Sequence, residues 1–244
     1  MLQKQASKKL TGGVLGGMGP LATVDFMSRV IALCPIKKEE DHVRLIVDQN
    51  PHIPSRQIMS LDHSSKIAAM LTESARTLEK TGVDFIVMPC NTAHMFADNI
   101  SNAINIPFFH IVDETINEIS KYYTQAKCIG ILATSACLDS EIYQEGLIAA
   151  KKDFIVPDPS NQDECMRIIL SIKDGASIKD MQQEMLDVAE HLIERGAEII
   201  IAGCTEIPLI LKKEDIKVPL ISSTEVLALK TVEYANGVDI ERIN

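Results

Sequence analysis

The stretch Gly82 to His94, GVDFIVMPCNTAH, has a second copy of its plan at Gly196 to Pro208, GAEIIIAGCTEIP. In each copy a glycine leads into a mostly β-branched run that reads as a buried strand, and a cysteine stands eight residues after the glycine, where the strand stops. Cys90 and Cys204 are therefore equivalent positions. The copying runs on in both directions. Downstream, IPFF at Ile106 answers VPLI at Val218, and an acid follows six residues after each proline, Asp113 and Glu225. Upstream, GVLGGM at Gly13 and IGILATS at Ile129 are both short apolar strands with an internal glycine that end in small residues. One half of the chain is a worn copy of the other at an offset of roughly 115 residues, so the fold must consist of two similar units.

A chain of 244 residues exceeds the usual single core and fits two domains of about 100 to 120 residues. Strands alternating with helical patterns make each unit α/β, a mostly parallel sheet flanked by helices. Residues 11–16 form the first strand. GGMGP at Gly16 to Pro20 then turns into a helix, with Leu21, Val24, Met27, Val30 and Ile31 on its expected buried face. A second strand at 43–48 leads into QNPHIPSR, stiffened by two prolines and ending in Arg56. A long helix over 60–80 stops at Gly82. Strands at 83–88 and 106–111 and a helix at 113–123 complete the first copy. In the second copy, the KCIGIL strand precedes a helix at 138–149, the strand DFIVP, and helices at 162–173 and 178–195. The repeat predicts that the helix after each second-proline strand crosses over, 224–236 onto the first half and 113–123 onto the second. The units are then 1–112 with 225–244, and 113–224.

A net charge of −10 and a pI near 5.1 exclude nucleic acid or an anionic membrane surface as partner, since either needs a basic field. The start, MLQKQASKKL, has lysines without an apolar run behind them, and no stretch approaches a membrane span. A cytoplasmic protein is expected. The six cysteines show no close pairing and no C-x-x-C, so neither a disulfide framework nor a zinc site is indicated.

A lone cysteine after a buried strand reads as structural; two equivalent ones, each opening a helix, read as chemistry. A helix N-terminus is expected to lower a thiol from about 8.5 toward neutrality. His94, Thr205 and Glu206 are the neighbours placed to tune the two sulfurs, although His94 is equally suited to capping or packing. Both cysteines lie at strand C-termini, where open α/β sheets bind ligands, so the two units would present them across one cleft. Thiols on opposite sides of a ligand suit a reaction that removes a proton from one face and returns one to the other, which is racemisation. A nucleophilic cysteine would need only one thiol and an oriented base. The glycine turn before Pro20 is open to an anion at a helix start, and Arg56 is a candidate carboxylate clamp or a surface arginine. No lysine is placed for a PLP aldimine and no metal ligand set is visible, so no cofactor is expected.

GGMGPLAT at Gly16 to Thr23, NPHIPSR at Asn50 to Arg56, MPCNTAH at Met88 to His94, LAT at Leu132 to Thr134 and AGCTEIPL at Ala202 to Leu209 together resemble the aspartate racemases of the Asp/Glu/hydantoin racemase superfamily. The match is ordered and covers essentially the full chain. The resemblance implies two flavodoxin-like domains, an interdomain cleft, no cofactor, and usually a homodimer. It makes Cys90 and Cys204 the two acid/base residues and places Met18, Gly19, Pro20 and Thr23 at one end of the site. Asn91 and Thr92 would hold the α-carboxylate, Thr134 would sit on the opposite side, and Arg56 would grip a side-chain carboxylate, with Lys173 as a second basic residue. Ala136 and Cys137 depart from the family's Gly-Thr after LAT-x. Both cysteines stand, which favours aspartate over broad-specificity members that carry threonine at the first position and disfavours one-cysteine relatives; a glutamate or broad-specificity racemase, the alternative within the superfamily, differs mainly in pocket length. A non-catalytic dicarboxylate-binding module is the alternative from another class.

Overall fold

The computed structural model describes residues 9–58 and 60–237. Most of the lysine-rich start, and the 238–244 end assigned to the first unit, lie outside the described residues. The first half runs β1 (Thr11–Gly16), α1 (Pro20–Leu33), β2 (Arg44–Gln49), α2 (Leu61–Lys80), β3 (Phe85–Val87), α3 (Ala97–Ser101), β4 (Phe108–Phe109) and α4 (Ile111–Tyr122). The second runs β5 (Cys128–Leu132), α5 (Ser135–Asp139), α6 (Ile142–Ala149), β6 (Asp153–Ile155), α7 (Pro159–Lys173), α8 (Gln182–Glu194), β7 (Ile199–Ala202), α9 (Ile207–Ile210), β8 (Leu220–Ser222) and α10 (Ser223–Asn236). Each half carries one four-stranded sheet with every pairing parallel, in the orders β2-β1-β3-β4 and β6-β5-β7-β8. The two orders are the same order. In both, the chain reverses direction across the sheet between the first and third strands, the place where such sheets bind ligands.

The glycine that opens each cysteine motif ends a helix. Gly82 (φ +82°) follows α2 and Gly196 (φ +103°) follows α8, both in the left-handed conformation and both with open space where a Cβ would stand. Backbone conformation, and not crowding, therefore selects glycine there. In α2, Ser60 caps by accepting the His63 N–H at 3.4 Å, and Ile67, Leu71, Ala75 and Leu78 are buried one turn apart against the sheet.

Three apolar clusters hold the molecule together. One packs α2 and α3 on the outer face of the first sheet through Ile67, Leu71, Ile86 and Ile100. Another packs α7 and α8 on the outer face of the second through Ile168, Met185 and Ile200. The largest lies between the sheets and draws on both: Val14, Phe85 and Val87 from one, Ile129, Ile131 and Ile201 from the other, with Phe26, Ile119, Tyr143 and Leu227 from helices between. Within that middle layer α10 packs on α1 and β1, while α4 packs on α6 and β8. Leu10 N–H also donates to Ala235 carbonyl at 3.0 Å. The halves thus share a core in which α4 and α10 also pack on each other. Among the described residues no helix is long and apolar enough to cross a membrane.

Four local expectations are corrected. α1 buries Ala22, Thr23, Phe26 and Val30, and leaves Leu21, Val24 and Ile31 exposed. Both sets have helical spacing, and Thr23 decides between them: its Oγ1 accepts the Gly17 N–H at 2.9 Å and donates to the Gly19 carbonyl at 3.0 Å. The helix expected over 138–149 is broken at Glu141, which has φ +57°. The strand expected over 106–111 is only Phe108–Phe109, because His110 turns to cap α4 by accepting the Asp113 N–H. The helix starts behind the cysteines are also weak. Cys90 leads into a 3-10 turn, Thr92–Phe96, and Cys204 into the four-residue α9.

Candidate active site

Loops from the carboxyl ends of β1, β2, β3, β5 and β7, with the last residue of α7, supply the candidate residues. After β1, Gly17 adopts φ +91° with Asn50 backbone atoms 2.5 Å from where its Cβ would be, so only glycine lets this turn lie against the β2 loop. The turn carries Met18, which is buried, and Gly19, whose Cβ position is 3.4 Å from Glu206 Oε1 of the other half. Pro20 is exposed at the first position of α1. Beside the turn, Arg56 donates to the carbonyls of Ile53 at 3.1 Å, Pro54 at 2.8 Å and Met18 at 3.4 Å. Its Nε is buried and unpartnered, and among the described residues no carboxylate pairs with it. The positive charge of this half-buried guanidinium is thus unmatched.

After β3, Cys90 is 5% exposed and Asn91, Thr92 and His94 are buried with it. His94 points away from the sulfur: Nδ1 lies 2.8 Å from the Cys90 carbonyl, and Nε2 accepts the Ile111 N–H at 3.1 Å. That pair of bonds fixes the tautomer with hydrogen on Nδ1. Burial, with His110 alongside, lowers its pKa to about 3, so it stays neutral and ties the cysteine loop to the start of α4. Asn91 spans the halves. Its Nδ2 donates to Ser223 Oγ at 2.9 Å, its Oδ1 accepts from Tyr143 Oη at 2.7 Å, and Ser223 in turn donates to the Ala202 carbonyl at 2.8 Å. One amide hydrogen of Asn91 remains for a ligand. Thr92 Oγ1 and Thr134 Oγ1, the latter capping α5 after β5, are 2.9 Å apart.

After β7, Cys204 is also 5% exposed. Its Sγ donates to Glu206 Oε2 at 3.0 Å, Thr205 Oγ1 donates to the same oxygen at 3.3 Å, and Lys173 Nζ, at the last residue of α7, pairs with Glu206 Oε1 at 2.6 Å. Burial, then the Glu206 carboxylate, pushes the Cys204 thiol well above its ordinary value of 9.0. This corrects the expectation of a thiol lowered by a helix start: a four-residue helix offers little dipole, and a carboxylate beside the sulfur outweighs it. Burial alone would lower Lys173, but Glu206, then Cys204 and Cys90, hold it above its ordinary value.

Sequence reasoning missed Tyr143 and Ser223, which anchor Asn91, and Gln162, whose Nε2 donates to the Ala133 carbonyl and to Ser135 Oγ at 3.1 Å each. Tyr143 and Ser223 are fully buried, and a hydroxyl in an apolar stretch was the only hint they gave. Among the described residues no three His, Cys, Asp or Glu side chains gather into a metal-binding group.

Two duplicated parallel sheets, each with a buried thiol at a strand end, are what fold and site present together. The Asp/Glu/Hydantoin racemase family model matches residues 15–231. The broad specificity amino-acid racemase RacX of Bacillus subtilis is 34% identical over 224 residues, covering 90% of this chain and 96% of that one. A glutamate racemase of Aquifex pyrophilus is 30% identical over 165 residues, 64% of this chain and 61% of that protein. Among solved structures, the Picrophilus torridus aspartate racemase superposes with a TM-score of 0.80 at 28% identity, covering 95% of this chain and 96% of that one. The chain belongs to the Asp/Glu/hydantoin racemase family and is an amino-acid racemase of that family.

Proposed function

We propose that the protein interconverts L- and D-aspartate without a cofactor, by two-base transfer of the α-proton between Cys90 and Cys204. The observation that supports this reading is that the duplicated cysteines, each buried at a strand end, stand in loops that meet across the two halves, with Thr92 Oγ1 2.9 Å from Thr134 Oγ1 and the Cβ position of Gly19 3.4 Å from Glu206 Oε1. One sulfur, as thiolate, takes Hα from the substrate. The other, as thiol, delivers its proton to the opposite face of Cα, and the roles exchange for the other enantiomer. Asn91, through its remaining amide hydrogen, Thr92 and Thr134 receive the α-carboxylate, and each donor aimed at the charge developing there contributes about 3 kcal/mol to the transition state. Arg56 clamps the side-chain carboxylate. Its unmatched charge beside the Met18 carbonyl supports that role, since a half-buried guanidinium held only by carbonyls favours an anion.

The catalytic units are 1–112 with 225–244, and 113–224, and the protein is a cytoplasmic homodimer; the exposed Leu21, Val24 and Ile31 along α1 support pairing of copies through that helix. A second reading, broad specificity, is favoured by the likeness to RacX along nearly the whole chain. Polarimetry of purified protein with L-aspartate, L-glutamate and several neutral and basic amino acids, no cofactor added, tests both. Rotation decaying to zero for aspartate alone supports the first reading. Decay for many amino acids supports the second, and no decay for any rejects both.

A further inference from the structure

The two cysteines are related by duplication, but their surroundings are not. Two residues after Cys204 stands a carboxylate, Glu206, that turns back and accepts the thiol hydrogen bond at 3.0 Å. The equivalent position after Cys90 is Thr92, whose hydroxyl is turned to Thr134. Among the described residues Cys90 Sγ has no carboxylate partner. Glu206 is 2% exposed and is held by Lys173 on its other oxygen, so it cannot swing away without stranding a buried charge. The titratable groups around Cys204 are Glu206 from its own turn, Lys173 from α7 and Tyr143 from α6.

Resting on the two-base reading, we propose that Glu206 is a positioning residue that keeps Cys204 in its thiol form, so that Cys90 is the sulfur that ionises in the resting protein. Ionising Cys204 would place a thiolate 3 Å from a carboxylate, whereas ionising Cys90 gives Lys173 a second anion at the cost of no such repulsion. In a turnover from this state the α-proton passes to Cys90 Sγ, and the Cys204 proton passes to the other face of Cα. The product state therefore has a thiol at Cys90 and a thiolate at Cys204. With the thiolate beside Glu206, that state is the higher of the two. Proton exchange with solvent, taking one from Cys90 and giving one to Cys204, returns the pair to rest.

The test is site-resolved alkylation by iodoacetamide across pH, read by peptide mass spectrometry on the folded, substrate-free protein. Midpoints are compared and not rates, because the thiols are buried. In the unaltered protein Cys90 is expected to titrate at least about one pH unit below Cys204. Glu206→Gln is expected to lower the Cys204 midpoint by about a unit and to move Cys90 much less. A shared midpoint, Cys204 reacting first, or a Cys204 midpoint indifferent to Glu206→Gln in a folded variant would overturn the proposal. The ordering in the unaltered protein needs no variant to fold and no turnover. A protein that racemises with equal midpoints defeats this proposal alone, and one that shows the ordering without racemising defeats only the two-base reading.

Discussion

The loops that carry Cys90 and Cys204 began as copies and now handle charge in opposite ways. Behind Cys90 the next titratable side chain is His94, fully buried, neutral, and bonded to backbone on both ring nitrogens. Behind Cys204 it is Glu206, bonded to the sulfur and paired with Lys173. The first loop is fixed by its backbone and the second by an ion pair. Duplication preserved the two sulfurs and the strand ends that position them, while the side chains beside them diverged. A two-base racemisation requires two acid/base groups on opposite faces of the substrate, and it does not require those groups to have equal affinities.

A set of substitutions and one titration would break or sharpen that comparison. The largest effect is expected at the sulfurs. Cys90→Ala and Cys204→Ala, each alone, should lower racemisation in both directions by about 100- to 10,000-fold, as loss of a positioned acid or base does. Chiral chromatography of products checks this, and a single variant with ordinary turnover would mean the loops are not partners. Next comes the ion pair. Lys173→Met leaves Glu206 buried and unpaired and should cost about 3–5 kcal/mol in denaturant unfolding, with part of that recovered in Lys173→Met/Glu206→Gln. The strap between the halves is smaller. Tyr143→Phe leaves Asn91 Oδ1 without its donor and should cost about 1–3 kcal/mol.

Acid should act on the first loop through His94. Its folded pKa, about 3, is below the ordinary 6.5, so the unfolded chain binds the extra proton first. The stability it contributes is complete above 6.5 and is lost as pH falls from there toward 3. Melting temperatures of the protein and of His94→Gln should therefore converge on acidification across that window. Leu21→Ser should move unfolding by no more than about 0.5 kcal/mol, because the side chain is half exposed. A change in mass by light scattering in that variant would mark α1 as the contact between copies.

Much of this molecule was legible in the sequence. The duplication alone predicted two like sheets, and the strand before each cysteine was readable because buried parallel strands are uninterrupted runs of Ile, Val and Phe. Gly82 was legible as a helix stop because a left-handed residue selects glycine. The buried face of α1 was not. Its apolar residues form two stripes, and the choice was made by Thr23, a polar residue whose bonds to the turn before it cannot be read from periodicity. The direction of the Cys204 thiol was hidden for a related reason. A Glu two residues from a cysteine points anywhere until a lysine from a distant helix fixes one of its oxygens, and Lys173 is 33 positions away. Tyr143 was invisible because its hydroxyl bonds an amide 52 residues upstream, a pairing that only the shared middle layer brings about.

The central claim is that two different sulfurs handle the proton on its way in and out. Early in the reaction of L-aspartate in D2O, before appreciable reversal, the deuterium content of each enantiomer decides it. The account predicts solvent deuterium at Cα in every D-aspartate formed, while the unreacted L-aspartate keeps its protium. D-aspartate that retains the original proton, or L-aspartate that exchanges as fast as D-aspartate appears, would show a single base at work and contradict it.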